Sequence, residues 1–391
     1  MPKTLLLILV TVATIRVHGQ KIDSTQVDLI DLIIGKEKSL SNNQVRSKKK
    51  IHFSLLPSAV STPGAGRAVI TAVNATFSLG EKESTNLSNV YFVPFTDFSG
   101  RFGVVIRSNV WLKDNKWNLL GDYRVEHFPR NTWGLGGNSN DSAQSIIDTD
   151  YVRINQDILR NIGGYWFLGL GYALDHNYNI EETDVNTESN LAKYPITNDG
   201  TSISSGVTFN ISYDARYNAI NPPKGAYLLA RLRLNHRDLG SDQNYQTLFI
   251  DARKYLPLGT QQVNILALRS YYWTLLGGTA PYLDLPSTNS TPTLGISSRG
   301  FKVGRHRSNA MLYGEAEHRY QLTENGLFGL VTFVNISSAS EFDTQQFRYW
   351  KPGVGVGLRT KFNKYSDTNV AIDFGFSRDF WSVWLNIGEV F

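Results

Sequence analysis

Residues 51–391 read as one all-β unit, a 16-stranded antiparallel transmembrane β-barrel of the outer membrane. Three observations predict it. Apolar and polar residues alternate with period two along segments of about ten residues, bounded by turn signals. The chain opens on an export leader, and it closes on the alternating aromatic stretch FWSVWLNIGEVF.

The leader is MPKTLLLILVTVATIRVHGQ. A basic Lys3 precedes an apolar run from Leu5 to Ile15, and Val17-His18-Gly19 ends on a small residue, so residues 1–19 read as a signal peptide. The run is too short to span a bilayer, and no later stretch approaches the ~18 apolar residues a membrane helix needs. An exported soluble protein and an outer-membrane barrel both remain open on this ground alone.

Residues 20–50 form the next unit, an amphipathic helix with a basic linker. Val27, Ile30 and Ile34 recur at helical spacing, with Leu29 and Ile33 beside them, between Ser24 or Thr25 as caps and Gly35 as a stop. A helix this short is marginal alone, since isolated helices below ~12–15 residues are unstable in water. It therefore needs a surface, and the linker ending at Lys48, Lys49 and Lys50 leads to the first strand. The expectation is a helix in or across the periplasmic mouth, partly plugging it.

From residue 51 the period is two. Phe102, Val104, Ile106, Val110 and Leu112 share one face, and Arg101, Gly103, Arg107 and Asn109 the other. Leu228, Ala230, Leu232 and Leu234 alternate with Leu229, Arg231, Arg233 and Asn235. Val354, Val356, Leu358 and Phe362 alternate with Gly353, Gly355, Gly357 and Arg359. A soluble sandwich alternates too, but faces rich in Gly and Arg, with Trp and Tyr near strand ends, favour a barrel with a polar lumen. Sixteen strands are expected, centred near residues 73, 91, 107, 121, 135, 154, 168, 208, 231, 251, 267, 316, 331, 355, 375 and 386. Polar segments near 137–148, 175–201 and 275–309 are expected as external loops. In the closing strand Trp381, Val383, Leu385 and Ile387 share a face, with Phe391 in the same phase and Glu389 breaking it.

Composition removes several functions. The net charge of +5 is dispersed, which argues against nucleic acid as a partner. There is no Cys, hence no disulfide, thiolate metal site or cysteine nucleophile. No Gly-x-Ser-x-Gly occurs, and the seven His lack metal-ligand spacing. Asp238 and Asp242 beside His236 read as a solvated loop. No catalytic residue, metal or cofactor is expected.

One stretch stands apart: ISSRGFKVGRHRSN, residues 296–309, has four cationic side chains (Arg299, Lys302, Arg305 and Arg307) and no acid. Together with the MLYGEAEHRYQL that follows, it resembles the sixth extracellular loop and next strand of the BamA/TamA-type outer-membrane assembly superfamily. DARYNAINPPKG, from Asp214 to Gly225, resembles that family's periplasmic turn between strands eight and nine. GVGVGLRTKF and VAIDFGF resemble strands fourteen and fifteen, and LNIGEVF the closing strand. By this resemblance Arg299, Gly300 and Phe301 are the loop motif, the loop folds back into the lumen, and Asp373 is the acidic partner of Arg299. Period two agrees from the residues alone: Asp373 lies opposite Ile372 and Phe374, and Glu315 and Glu317 lie opposite Leu312 and Ala316, so all three acids face inward. Arg305 and Arg307 are expected at a solvated rim.

The family implies a barrel that assists insertion or translocation of polypeptides at the outer membrane, without catalysis. Its partners would be the outer-membrane lipid bilayer, unfolded outer-membrane protein substrates and other outer-membrane assembly components. Residues 20–50 leave no room for the polypeptide-transport-associated (POTRA) domains of the family's assembly members, so the chain resembles a short branch. Rival readings are a passive or substrate-specific pore and, third, a lipid-modifying barrel enzyme.

Overall fold

The structure, a computed structural model, describes residues 26–34, 50–62, 66–81, 83–97, 100–184, 194, 199–259, 264–292, 297–378 and 380–391. Residues 1–19, read as a signal peptide, and most of the 20–50 segment, including Ser24, Thr25, Gly35, Lys48 and Lys49, lie outside the described residues. What is described is one antiparallel sheet wound into a nearly closed 16-stranded barrel.

Its wall begins with β1 (Ile51–Thr62), β2 (Gly66–Phe77), β3 (Ser88–Asp97), β4 (Phe102–Trp111) and β5 (Trp117–His127). It continues through β6 (Ser145–Gly163), β7 (Trp166–Asp184), β8 (Ser202–Asp214), β9 (Gly225–Asn235), β10 (Tyr245–Pro257) and β11 (Asn264–Gly278). It ends with β12 (Ala310–Gln321), β13 (Phe328–Ala339), β14 (Lys351–Asn363), β15 (Thr368–Ser377) and β16 (Trp381–Ile387). Each strand pairs with its neighbours in sequence, from Ile51↔Phe77 between β1 and β2 to Phe376↔Trp381 between β15 and β16.

Period two sorts the side chains by solvent. Phe102, Leu170, Phe209, Val334, Val354 and Leu358 are exposed on the outside. Asn109, Asp157, Arg231, Arg233, Asp251 and Arg269 are buried on the inside. That is an apolar belt around a polar lumen, the arrangement a bilayer demands of a closed sheet. Tight connections such as 163–166 and 363–368 share one rim with the N-terminal end of β1, the periplasmic side. Among the described residues, 128–144, 199–201, 279–292 and 297–309 share the other. There Leu135, Ile147, Ile180, Tyr245, Tyr282 and Leu285 pack into an apolar dome.

Two expectations about strands fail. The segment near 135 is not a strand: it holds Gly134 and Gly136 at positive φ. Pro129 breaks the ladder after β5, and only Arg130–Thr132 resumes it against β6. The missed strand is β1, which Pro57 disguises, since proline cannot donate to a ladder and is confined to edges. The polar segment from 175 is also not all loop, because β7 runs on to Asp184.

β1 is an edge. Among the described residues no backbone ladder joins β1 to β16, although the two lie next to each other. The expected phase of Phe391 is corrected here as well. Trp381 is exposed, but Ile387, in phase with it, is buried and is the last strand residue. Gly388 then takes φ +95 and donates its N–H to the Asn369 carbonyl, turning the chain inward. Phe391 ends buried in the lumen beside Tyr255, and Arg319 donates to its carbonyl at 2.9 Å.

The N-terminal helix, α1 (Leu29–Ile34), sits on the periplasmic rim. Charge holds it rather than its apolar stripe. Lys364 Nζ meets Asp31 at 2.8 Å, the Lys364 N–H donates to Asp28, and the Val27 N–H donates to the Asn325 carbonyl. Val27, Ile30 and Ile34 are only half-buried, and Leu32 and Ile33 are exposed. The helix therefore straddles the β12–β13 and β14–β15 turns.

A folded barrel of this kind should migrate faster on a gel before boiling than after, and its circular dichroism in detergent should be strand-rich. A helix-dominated spectrum is the outcome this architecture forbids.

Candidate functional site

The connection between β11 and β12 bends into the lumen and carries Arg299 at its tip. Ser298 and Gly300 both take positive φ, and the Phe301 N–H closes the turn on the Ser298 carbonyl at 3.1 Å. Asn289 locks the turn from outside by donating to the carbonyls of Ser298 and Phe301.

A slot in the wall receives this turn. On β14 and β15, Gly353, Gly355, Gly357 and Gly375 alternate with outward Val354, Val356, Leu358 and Phe376, so the inner face there has almost no side chains. A Cβ on Gly375 would stand 2.5 Å from the Gly300 nitrogen, and one on Gly353 would stand 2.9 Å from the Phe301 ring. A Cβ on Gly300 would meet the Phe376 backbone at 2.8 Å. Loop and wall touch backbone to backbone, a contact only glycine allows. The Gly300 N–H donates to Ser382 Oγ on β16 at 3.0 Å, and the Arg299 carbonyl accepts from Asn335 on β13.

The Arg299 side chain is fully buried and meets three acids. Nη1 donates to Asp373 at 2.8 Å, and Nη2 donates to both Glu315 and Glu317. Its guanidinium lies 3.5 Å from the centre of the Phe333 ring. Such a cation is stable only because desolvation is offset by matched charge and hydrogen bonds. The structure thus brings Arg299, Asp373, Glu315 and Glu317 together, and seats Gly300 and Phe301 against the wall.

The network reaches past the residues singled out from sequence. Arg359 donates to Asp373 at 2.6 Å and to Glu389 at 2.8 Å. Arg319 donates to Glu317 at 2.6 Å and lies 3.8 Å from Glu389. Glu389 also accepts from Asn369. The phase break at Glu389 and the lone arginine after three alternating glycines were visible in the sequence; the inward turn that joins them was not. Trp381, Val383 and Leu385 stay on β16, and Val27, Ile30 and Ile34 stay at the rim, remote from this centre.

The other cations of the loop differ from expectation. Arg307 is not at a solvated rim: it is buried, and Nη1 donates to the carbonyls of Tyr282, Leu283 and Leu285. Arg305 does lie near the rim, bound to Ser139 and to exposed Asp141. Burial, with Arg305 and Lys351 nearby, pushes the His306 imidazole down to about 3, so it is neutral.

These features define a class: an outer-membrane β-barrel whose sixth loop is folded into its own lumen and held by a buried arginine. The Omp85 superfamily domain matches residues 66–363, and the protein belongs to that superfamily. Barrels of this superfamily reside in the bacterial outer membrane and serve as transporters or assembly factors. BamA from Haemophilus ducreyi lacking POTRA domains 1–3 is similar in structure, with a TM-score of 0.52 and 13% identity over 90% of this chain and 78% of that one. CdiB from Acinetobacter baumannii gives 0.54 and 12% over 95% and 72%, and CdiB from Escherichia coli 0.54 and 9% over 88% and 63%. At such identities the likeness is one of fold. No curated protein matches the sequence.

Arg299→Ala leaves three buried acids without their shared cation and should cost about 3–5 kcal/mol of stability in denaturant titrations. Arg305→Ala, which loses bonds to Ser139 and an ion pair to exposed Asp141 but strands no buried acid, should cost less. Equal effects would contradict the assignment. Gly375→Ala should unseat the loop, read as protease cleavage within 297–309 of an otherwise folded barrel.

Proposed function

We propose that this barrel assists insertion or translocation of polypeptides at the outer membrane, without catalytic turnover. The observation that carries the reading is the seam. Every other pair of neighbouring strands is joined by a ladder, whereas β1 and β16 meet without one among the described residues. Their free edges offer backbone donors and acceptors to an incoming strand, the same chemistry by which exposed edges recruit other chains. β16 is short, and its grip on the loop through Ser382 couples the lumen to the seam. In this reading the seam parts, an unfolded outer-membrane protein adds strands there, and the lipid bilayer beside the short β16 is locally thin. Other outer-membrane assembly components would deliver the substrate, and residues 1–19 would direct export. Trp381, Val383, Leu385, Ile387 and Phe391 would be what the assembly machinery reads when this barrel is itself inserted.

Liposomes carrying the protein should accelerate membrane insertion of an unfolded test barrel. Because the chain has no Cys, a cysteine pair can be placed across β1 and β16 without competing thiols. Its oxidation should abolish the acceleration and its reduction restore it. Unchanged activity with the seam locked would sink the proposal.

A second reading, a passive or substrate-specific pore, is favoured by a lumenal cavity of about 700 Å³ between β2–β5 and the seated loop. In either reading we propose that α1 and its linker partly cover the periplasmic mouth. Deleting residues 21–45 should raise conductance in planar bilayers, and unchanged conductance would reduce the segment to a loose leader.

A further inference from the structure

We propose that the unfilled half of the lumen is an anion-selective passage in which small inorganic anions are the mobile charge. The inference is independent of whether the barrel handles polypeptides. It starts from the cavity between β2–β5 and the seated loop, whose lining contains eight Arg or Lys side chains and five Asp or Glu, two of the cations, Arg216 and Arg253, being paired with Asp214 and Asp251 just behind it.

The surplus is local. At the extracellular end stand Arg130, Lys302 and Arg307, and among the described residues none of them has a carboxylate within 4.0 Å. Their contacts are of other kinds. Arg130 lies over the Tyr151 ring, Lys302 sits between the rings of Trp133 and Phe380, and Arg307 is bound to main-chain carbonyls. Ring faces and carbonyls orient a cation but leave its net charge in place.

Deeper in the wall the carboxylates are shared. Asp122 is shared by Arg107, Arg124 and Arg153, at 3.9, 2.6 and 3.3 Å, and Arg153 also meets Asp175 at 2.6 Å, which Arg233 shares. Arg231 is paired with Asp157, its Nε 3.1 Å from Oδ2, while Thr208 and Asn210 donate to Oδ1. Glu126 and Asp97 are the other carboxylates facing this stretch, Asp97 lies 3.7 Å from Arg101, and Glu389 is committed to Arg359. Cations such as Arg130, Lys302 and Arg307, without a carboxylate beside them, are costly unless mobile charge compensates them. Electroneutrality then requires the cavity to concentrate anions, and a low-dielectric wall strengthens the effect by focusing the field.

The test is the reversal potential of the full-length protein in planar bilayers under a KCl gradient. We expect chloride to be preferred roughly threefold over potassium, and the preference to fall as KCl rises from 0.1 to 1 M and shortens the screening length. Lys302→Gln with Arg130→Gln should bring the ratio close to one, and Lys302→Gln alone should lower it if the double variant does not fold. Arg160→Gln, outside the cavity, should change nothing. A cation preference, a ratio indifferent to the lumenal variants, or a barrel that passes no current would each overturn the proposal.

Discussion

The buried guanidinium of Arg299 sets the terms for the rest of the molecule. One cation in a dry site needs acids, and β12 and β15 supply three. Three acids around one cation are themselves in excess, so Arg319 and Arg359 are drawn in, and these in turn hold Glu389 and the carbonyl of Phe391. The chain of compensation runs from the loop tip to the last residue. Buried ion networks contribute less to stability than to specificity, and here the specified feature is the seat of the loop. The glycines of β14 and β15 belong to the same constraint, because the guanidinium reaches its acids only if loop and wall approach without side chains between them.

Much of this was legible from alternation. Fifteen of the sixteen strand centres fall on strands, because a sheet with lipid on one side and a polar lumen on the other prints its period directly on the sequence. Phase alone put Asp373, Glu315 and Glu317 inside. What failed has local causes. Pro57 concealed β1, and alternation could not foresee that Gly388 would rotate Phe391 into the lumen. The fate of Arg307 was hidden because its partners are carbonyls, which every residue carries and no sequence advertises. α1 was read through its apolar stripe, whereas Asp28 and Asp31, bound to Lys364, fix its position.

The lumen is thereby divided. Loop, C-terminal tail and ion network fill the side of β10–β15, while the side of β2–β5 stays open. The packed side is charge-matched, and the open side has its carboxylates spread over too many arginines. The seam lies where the two sides meet.

The seated loop also has a consequence for the order in which the protein can form. Arg299 precedes Asp373 by 74 positions, and Tyr282 is bonded to Thr132, 150 positions earlier. Once the wall has closed, the apolar dome covers the entrance through which the loop would have to pass. Contacts between such distant segments close late because each carries the loop entropy of everything between. The wall must therefore curl around a loop that is already inside, which makes the loop a mandrel for the last five strands.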